Sequence, residues 1–372
     1  MATNKPRILI LENSTVVTGA MKAIVNVTAL MRTSFSFLFI IPQGSTTRSS
    51  YPASEVFELN MIEISKRIAS LILYVPQLIS NALYLRRFVR QYDIDLIHVN
   101  DLYNLIPSLA RIFGCRVPYI CHVRFMPERF PKVLFNFWLR LHLRHASKII
   151  VVSEALRKKL PNHDKIIVIY DGHSFDKIQS STGSNGSTFL YLSNFIPGKG
   201  QDHALHAFTN ICNELPGWKL RFVGGDMGLE KNKQFLQSLK DLAEASGISD
   251  RIEWHGFTAD VASQYRSADI ILNFSESESF SMSTLEALSC GRPLIVSDCG
   301  GPSEIVQHNM TGILVPNKDV KAMERAMVRL ATDAQLRTTM GMSAEADMRK
   351  RFDLTQTAKK LDEVYRSCLP SI

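Results

Sequence analysis

The chain has 372 residues, of which 45% are hydrophobic and 21% are charged, values typical of an ordinary globular protein whose length suits two domains. Its net charge of +8 is uneven, since residues 1–172 carry 22 Lys and Arg against 11 Asp and Glu, while residues 173–372 carry 21 against 24. No recognition module or basic motif accompanies this charge, which argues against nucleic acid as a partner.

Cysteine spacing and hydropathy indicate the cellular compartment that we expect for the protein. The six cysteines lack the spacing of metal ligands and lie in apolar surroundings, as reduced cytosolic thiols do, and His, Asp and Glu form no dense cluster that predicts a metal site. No signal peptide precedes Arg7, and the apolar run 68–85 is interrupted by Pro76, Gln77 and Asn81. We therefore expect a cytoplasmic protein without a transmembrane span.

The first 172 residues predict a parallel α/β domain. Apolar runs typical of buried strands, with helical segments between them, lie at residues 7–11, 95–99, 118–122 and 148–153. Residues 166–172 form a further strand-like run where this domain ends. Gly19 lies in the loop after the first strand, where a glycine lets backbone approach a ligand closely.

A basic and aromatic stretch, residues 124–145, follows the third of these strands. Apolar and basic side chains alternate in it: Phe135, Trp138, Leu139 and Leu141 with Arg140 and Arg144. Such a stretch can lie in the interface of an anionic membrane, with the aromatic side chains toward the lipid and the cations toward the headgroups. The alternative, which the sequence leaves equally open, is an amphipathic helix that packs on the protein core and keeps a solvated basic face.

The second half repeats the α/β pattern. Residues 173–187 predict a linker, and residues 188–351 predict a second domain. Strand-like runs alternate with helical segments at residues 189–193, 220–224, 252–256 and 269–274. Strands that alternate with helices twice over predict two doubly wound, Rossmann-like domains with parallel sheets. Residues 352–369 predict a terminal helix.

The most informative segment is 275–305, which follows the last of these runs. Residues 282–290 predict a short helix there. At a turn between a strand and a helix, backbone N–H groups point into the crevice where open α/β sheets bind ligands, and the helix N-terminus favours a phosphate. The N–H groups in question belong to Ser281, Met282 and Ser283.

Two carboxylates flank this turn. Glu286 lies about one turn inside the predicted helix, where its oxygens can accept both hydroxyls of a ribose, and Glu278 stays in the loop near the reacting end. One Glu in a first helical turn is ordinary compensation of the helix dipole. The pair, with small residues between its members, favours a site for a sugar nucleotide.

The same segment resembles the signature of the retaining glycosyltransferases of the GT-B fold, specifically family four within group one. That signature is Glu, seven residues, Glu, then Ala, a small residue and Gly-x-Pro, and it falls here on Glu278, Glu286, Ala287, Gly291 and Pro293. The resemblance covers nearly the whole chain. It implies that residues 1–172 bind the acceptor, that residues 188–351 bind the nucleotide sugar across a cleft, and that the helix 352–369 packs back on the first domain.

The resemblance also implies a set of donor-binding residues, with two departures from the family pattern. Lys199 matches the family's diphosphate-binding Lys, but the Arg that often precedes it by five residues is Asn194 here. After Phe280 the family usually has Gly, where this chain has Ser281, which keeps the backbone donor. The predicted donor-binding residues are Gly19, Asn194, Lys199, Phe280, Ser281, Met282, Ser283 and Glu286.

A third departure concerns the His that the family commonly places near the donor sugar. Counted from Pro118, that place falls on Arg124, whereas His122 comes two residues earlier, and both side chains of a strand at this spacing can point the same way. Arg124 could bind a phosphate or an acidic acceptor, and His122 could orient a sugar hydroxyl or be a packed core residue. The predicted catalytic residues are Glu278, His122 and Arg124.

These inferences predict a cytoplasmic, metal-independent and cofactor-free hexosyltransferase that takes a sugar from a nucleotide diphosphate sugar. The expected acceptor is a cell-surface polysaccharide or a lipid-linked glycan at the inner face of an anionic membrane, to which the protein would bind peripherally. The alternatives are a nucleotide-sugar epimerase or phosphorylase of the same fold, and a homologue that binds a nucleotide sugar without catalysis.

Overall fold

The computed structural model of the chain describes residues 5–52, 55–61, 68–174 and 187–369. The chain divides into two units. The first comprises Met1–Gly172 and Leu354–Ile372, and the second comprises His173–Asp353. Of the predicted linker, residues 175–186 lie outside the described residues. All six cysteines are free thiols.

The first unit contains a parallel sheet of seven strands in the order β3-β2-β1-β4-β5-β6-β7. Its strands are β1 (Arg7–Glu12), β2 (Ser36–Pro42), β3 (Val56–Leu59), β4 (Leu96–Asn100), β5 (Tyr119–Val123), β6 (Lys148–Val151) and β7 (Ile166–Val168). Its helices are α1 (Gly19–Leu30), α2 (Ile68–Gln91), α3 (Ile106–Ile112), α4 (Lys132–His145) and α5 (Glu154–Lys158), and α13 (Leu354–Cys368) from the end of the chain.

The terminal helix α13 packs against α1 of the first unit. Its Tyr365 is fully buried, and the ring meets that of Phe35 edge to face at a centroid distance of 5.4 Å. The central strands of this unit are mostly apolar, as expected where helices cover both faces of a parallel sheet. β4 and β5 are therefore buried at every position.

The second unit contains a parallel sheet of six strands in the order β10-β9-β8-β11-β12-β13. Its strands are β8 (Thr188–Leu192), β9 (Lys219–Val223), β10 (Ile252–His255), β11 (Ile270–Asn273), β12 (Leu294–Ser297) and β13 (Gly312–Val315). Its helices are α6 (Gln201–Ile211), α7 (Glu230–Ala245), α8 (Val261–Arg266), α9 (Met282–Ser289), α10 (Pro302–Ile305), α11 (Val320–Thr332) and α12 (Ala334–Arg351).

Both sheets reverse their strand order at one place. In the first sheet the order reverses between β1 and β4, and in the second it reverses between β8 and β11. The crevice at the carboxyl ends of the strands on either side of such a switch point is where open α/β sheets bind ligands. The predicted pair of doubly wound parallel-sheet domains is confirmed, and each has one place suited to a ligand.

Candidate functional site

The switch point of the second sheet brings a cation and a carboxylate together. Lys199 lies in the loop after β8, and Glu278 lies in the loop after β11. The Lys199 Nζ atom is 2.6 Å from Oε1 of Glu278, although the two residues are 79 positions apart in the sequence. The fold therefore places two of the predicted site residues in direct contact at a ligand-binding edge of the sheet.

The loop that carries Lys199 approaches the end of β11 closely. Gly200 has a φ of +82°, and a Cβ atom on it would lie 2.0 Å from the carbonyl oxygen of Phe274, so only glycine fits. The buried hydroxyl of Tyr191 joins the same loops, since it donates to the Lys199 carbonyl and accepts the Phe274 N–H at 2.7 Å. Burial raises the pKa of Tyr191 well above its ordinary value, so the hydroxyl keeps the proton that it donates.

Glu278 is held by its side chain and by its backbone. Its Oε1 atom also accepts a hydrogen bond from the Ser275 hydroxyl at 3.0 Å. Its N–H donates to the Cys299 carbonyl at 3.3 Å, and its carbonyl accepts the Gly301 N–H at 2.9 Å. The carboxylate is thus fixed before a ligand binds, which lowers the entropy lost on binding.

Ser281 opens helix α9 with a φ of +99° and a ψ of 92°, a conformation that costs a residue with a side chain about 1–3 kcal/mol. Its hydroxyl accepts hydrogen bonds from the Thr284 N–H at 3.4 Å and the Asn273 side-chain amide at 3.0 Å. The first N–H groups of any α-helix lack intrahelical acceptors. Met282 and Ser283 are the first residues of α9, so the predicted phosphate-binding turn is the N-terminus of this helix.

Glu286 lies about one turn inside α9, as predicted. Its Oε2 atom is 3.4 Å from the Tyr265 hydroxyl, which also donates to the Ser283 carbonyl at 3.1 Å. Burial and then the charge of Glu286 raise the pKa of Tyr265 well above its ordinary value. The side chain of Phe280 is buried, and its ring contacts that of Phe352 at a centroid distance of 5.8 Å. Phe280 therefore anchors the turn in the core through its side chain.

Asn194, which stands where the family often has Arg, connects two loops. Its Oδ1 atom accepts the Gly225 N–H at 3.1 Å, and its carbonyl accepts the Gln201 side-chain amide at 2.9 Å. The amide contributes no positive charge here. In this unit, the positive potential at the predicted donor site therefore comes from Lys199 and from the N-terminus of α9.

A second cluster lies at the switch point of the first sheet, where β1 and β4 end. Glu12, the last residue of β1, accepts the Ser14 N–H at 2.9 Å and a hydrogen bond from Asn100, the last residue of β4. Gly19 is the first residue of α1, and the Thr18 hydroxyl caps that helix. The predicted glycine thus stands at a helix N-terminus, directly after the loop that begins at Glu12.

Arg124 donates to three side chains of the first unit. Its Nε atom donates to Oδ1 of Asn100 at 2.6 Å, its Nη1 to Asp171 at 2.5 Å, and its Nη2 to Nδ1 of His122 at 3.3 Å. The Arg124 and Asp171 side chains are only 5% and 7% exposed. The binding of a phosphate or an acidic acceptor by Arg124 stays a prediction, and in the structure its guanidinium orients its neighbours.

His122 lies on β5 and stacks on His98 of β4 at a centroid distance of 5.4 Å. A guanidinium has no acceptor, so Nδ1 of His122 accepts the hydrogen bond from Arg124 and the ring proton resides on Nε2. Burial and then the charge of Arg124 lower the pKa of His122 well below its ordinary value. The ring is therefore neutral, with an Nε2–H donor that has no partner among the described residues.

Sequence reasoning missed several residues that hold these clusters together: Asn100, Asp171, Tyr191, Tyr265 and Ser275. Asn100 ends β4, so a search for polar residues at the ends of predicted strands would have found it. Tyr191 lies in a buried strand and Tyr265 is the buried residue of α8, and no local signal distinguishes either from a core residue.

The basic and aromatic stretch forms helix α4 and the segment before it. Phe135, Trp138 and Leu139 are buried, because the helical period places them on the face that packs on the sheet. The expectation that these side chains enter a membrane is wrong, and for them the alternative of a core-packed helix with a solvated basic face is right. In the described part of the chain, no helix is both long and apolar enough to cross a bilayer.

Comparison with known proteins gives two family matches. The model of glycosyl transferases group 1 matches residues 174–347, and the model of Glycosyltransferase Family 4 matches residues 40–177. The chain is 27% identical over 248 residues to N-acetyl-alpha-D-glucosaminyl L-malate synthase of Bacillus anthracis, covering 63% of each protein. It is 32% identical over 179 residues to D-inositol 3-phosphate glycosyltransferase of Saccharomonospora viridis, covering 46% of this chain and 41% of that relative. The chain thus spans less than two thirds of the curated relatives it matches.

Among solved structures, Anabaena Alr3699/HepE in complex with UDP and glucose aligns with a TM-score of 0.83 at 21% identity, covering 97% of this chain and 99% of that one. This likeness establishes the GT-B fold. The two family matches run without a gap from residue 40 to residue 347, and each agrees with the unit it covers. The chain therefore belongs to the group 1, family 4 glycosyltransferases.

Proposed function

We propose that this chain moves a sugar from a nucleotide diphosphate sugar to an acceptor hydroxyl, with retention of configuration at the anomeric carbon. The observation that carries the proposal is the contact of Lys199 with Glu278 at 2.6 Å, beside the strained turn that opens helix α9. Membership of a glycosyltransferase family supports the class of reaction. The UDP and glucose bound by Anabaena HepE support a nucleotide sugar as the donor.

Departure of a nucleoside diphosphate builds negative charge on the leaving oxygen, and preorganised positive charge stabilises it. Lys199 has three N–H donors, so it can bind a diphosphate oxygen while it keeps its contact with Glu278. The N-terminus of α9 adds backbone donors and the positive end of a helix dipole. Glu286 would hold the ribose hydroxyls, and Glu278 would contact the transferred sugar.

Retention follows from attack on the face from which the diphosphate leaves. The acceptor oxygen bonds to the anomeric carbon as the bond from that carbon to the phosphate oxygen breaks, and the acceptor proton passes to the departing phosphate. Glu278 is the carboxylate nearest to this chemistry, but Lys199 and Ser275 already bind its Oε1 atom, which weakens it as a nucleophile. The departing phosphate is therefore the base in this proposal.

The proposed reaction uses no metal ion and no cofactor, because Lys199 and the helix N-terminus supply the positive charge that a metal would otherwise supply. The proposed acceptor is a hydroxyl of a cell-surface polysaccharide or lipid-linked glycan at the inner, cytoplasmic face of an anionic membrane. The excess of 22 Lys and Arg over 11 Asp and Glu in residues 1–172 supports an anionic partner for the first unit.

The test is a thermal-shift and product screen with UDP, GDP, ADP and their common sugars, with and without a metal chelator. We expect one nucleotide to stabilise the protein and to be released slowly from its sugar, equally with chelator. Lys199→Gln should abolish the shift, while the control Lys240→Gln, on the exposed side of α7, should not.

Other results would point elsewhere. Loss of activity with chelator would contradict metal independence. Conversion of the donor without nucleotide release would favour an epimerase, and stabilisation without turnover over a panel of acceptors would favour a homologue that only binds. If no nucleotide stabilised the protein, the site built on Lys199 and Glu286 would be wrong.

A further inference from the structure

Three helices of the first unit, α2, α3 and α4, form one layer on its sheet. They follow β3, β4 and β5, and each connection runs toward the same edge of the sheet. Right-handed crossovers therefore place them on the same face, and α2 packs on α3 while α3 packs on α4. The short helix α5, which carries Glu154, follows β6 in the same direction and lies on that face beyond the layer. α1 and α13 pack together on the other face.

This helical layer contains no Asp and no Glu. Its cations are Arg86, Arg87 and Arg90 on α2, Arg111 on α3, and Lys132, Arg140 and Arg144 on α4. None of these side chains forms an ion pair with a residue that the structure describes, whereas Arg7, Arg32 and Arg48 elsewhere in the unit do. The layer thus carries uncompensated positive charge.

The exposed face of α2 changes character along the helix. Val75, Ile79 and Leu83 recur at a spacing of four, which keeps them on one face, and they are 56%, 39% and 39% exposed. Arg87 and Arg90 continue the same exposed face toward the end of the helix. The first part of the face is apolar, and the last part is cationic.

Helix α4 repeats this arrangement. Val133 and Phe137 are 83% and 53% exposed, and Arg140 and Arg144 continue their face at helical spacing. Side chains of this size are seldom left exposed in groups unless a partner covers them. Two helices of one layer thus share a pattern in which exposed apolar side chains precede exposed arginines along one face.

Both apolar segments lie toward the carboxyl edge of the sheet, because each helix leaves the carboxyl end of one strand and leads to the amino end of the next. Asn60, which follows β3 directly, accepts hydrogen bonds from Gln77 at 3.2 Å and Asn81 at 2.9 Å. These contacts hold the middle of α2, from Gln77 to Asn81, at that edge. The edge also carries Arg124 just beyond the end of β5.

From these observations we propose that the α2–α3–α4 layer docks on a phospholipid bilayer with anionic headgroups, with the carboxyl edge of the sheet turned toward the lipid. Ile79 and Arg87 are separated by about 12 Å along α2, and Phe137 and Arg144 by about 10 Å along α4. Interfacial apolar faces enter the bilayer by about 5–10 Å, which brings the cations to the level of the headgroups.

This surface deepens the proposed function and rests on it for the identity of the acceptor. A lipid-linked hydroxyl would reach the first unit at the edge that carries Arg124 and the end of β5. Nucleic acid is the less favoured partner, because its phosphates would contact the cations and leave the aliphatic side chains unburied.

The experiment is flotation of the full chain with vesicles of phosphatidylcholine alone and of phosphatidylcholine mixed with phosphatidylglycerol, at low and high salt. The apolar variant is Ile79→Ser with Phe137→Ser, and the basic variant is Arg87→Gln with Arg90→Gln and Arg144→Gln. The matched control removes the same charge from α7 of the second unit: Lys231→Gln, Lys233→Gln and Lys240→Gln.

We expect flotation with anionic vesicles only, and weaker flotation at high salt. The basic variant should bind about a hundredfold more weakly, since each cation near an anionic surface contributes about fivefold. The apolar variant should lose at least about tenfold, and the control should bind like the wild type. Thermal unfolding of each variant verifies that these exposed substitutions leave the fold intact.

Absence of flotation at low salt overturns the proposal, and so does flotation that neither surface variant weakens. Binding to a duplex or single-stranded oligonucleotide that the basic variant loses, without vesicle binding, overturns it in favour of nucleic acid. Nucleotide-induced stabilisation measured on the same samples separates the two proposals. Stabilisation without flotation rejects the surface alone, whereas surface-dependent flotation without any nucleotide binding rejects the proposed function alone.

Discussion

Donor binding should depend strongly on Glu286, a residue of the second unit. Replacement Glu286→Ala removes two charge-assisted hydrogen bonds to the ribose, each contributing about 1.5 kcal/mol or more, so affinity for the donor should fall about a hundredfold. Donor affinity should fall far more than the free energy of unfolding, because the carboxylate's hydrogen bonds to the ribose exist only in the complex. Titration calorimetry with the stabilising nucleotide measures the affinity of Glu286→Ala and of the control variant Tyr265→Phe.

The matched control is Tyr265→Phe, which keeps the carboxylate and removes its neighbouring hydroxyl. Donor affinity should change only a few-fold in this variant. Unchanged affinity in Glu286→Ala would take Glu286 out of the site.

The tautomer of His122 leads to a second prediction about a single residue. A Gln side chain places an amide N–H near the position of Nε2, whereas an Asn side chain reaches only the position of Nδ1. If the Nε2–H is the group that orients a sugar hydroxyl, His122→Gln should keep most of the kcat and His122→Asn should lose it. Arg124 supplies the hydrogen bond that fixes this tautomer at 3.3 Å.

Both substitutions put a polar group in a buried place, so both should lower stability to a similar extent. Steady-state kinetics and thermal unfolding of the pair test the assignment. Equal losses of kcat in the two variants would indicate that His122 only packs the core.

Between elements, the position of Lys199 depends on the bridge that Tyr191 makes from β8 to the end of β11. Tyr191→Phe leaves the buried Phe274 N–H without this acceptor, so the free energy of unfolding should fall by about 1–3 kcal/mol. The loop of Lys199 also loses a contact to its carbonyl. We therefore expect a lower kcat and a higher KM for the donor.

A buried tyrosine of the first unit gives the control. The Tyr119 hydroxyl lies 2.7 Å from the Ser108 hydroxyl, so Tyr119→Phe should cost similar stability without that change in kinetics. Kinetics in Tyr191→Phe that match those of Tyr119→Phe would leave Tyr191 a purely structural role.

Strands and helices can be predicted from the sequence where residues close together in the chain carry the pattern that specifies them. The strands around Asp95, Pro118 and Lys148 were predictable, because burial on both faces makes parallel strands continuously apolar. β2 and β3 were not predicted, and β3 is only four residues long with an exposed Glu58.

The two carboxylates of the site were predictable because they lie eight positions apart on one turn and helix. The contact of His98 with Tyr365, at 2.7 Å, joins residues 267 positions apart. Only the packing of α13 on the first unit brings them together, and no local pattern records it. Contacts between residues far apart in the sequence also determine which N–H groups of Arg124 donate hydrogen bonds, and to which side chains.

Over the whole molecule, the two units should respond differently to acid. His98, His122 and His142 of the first unit are buried, and burial lowers the pKa of His98 to about 3 and of His142 to about 4. A histidine with a lowered pKa in the folded state takes up its proton only on unfolding, so stability falls as pH drops below about 6.5. In the second unit, the hydrogen bond from Lys318 lowers the pKa of Glu276, and that contribution is lost only below about 4.5.

Between pH 7 and pH 5.5, each of the three histidines should reduce the stability of the first unit by about 1 kcal/mol. Asp101 acts in the opposite direction, because burial raises its pKa to about 6 and its proton is bound more tightly in the folded state. The expected net loss is about 2–3 kcal/mol for the first unit and little for the second.

The three tryptophans allow each unit to be observed by itself, since Trp138 lies in the first unit and Trp218 and Trp254 lie in the second. Urea unfolding followed by fluorescence, in a Trp218→Phe/Trp254→Phe variant and in Trp138→Phe, reports the two units separately. The midpoint of the first unit should fall between pH 7 and pH 5.5 while that of the second stays nearly constant. His142→Gln should reduce the fall by about one third to one half, because it removes about 1 kcal/mol from a net loss of about 2–3 kcal/mol. Equal shifts of both midpoints would mean that the buried histidines do not govern the acid response, and that the units unfold as one.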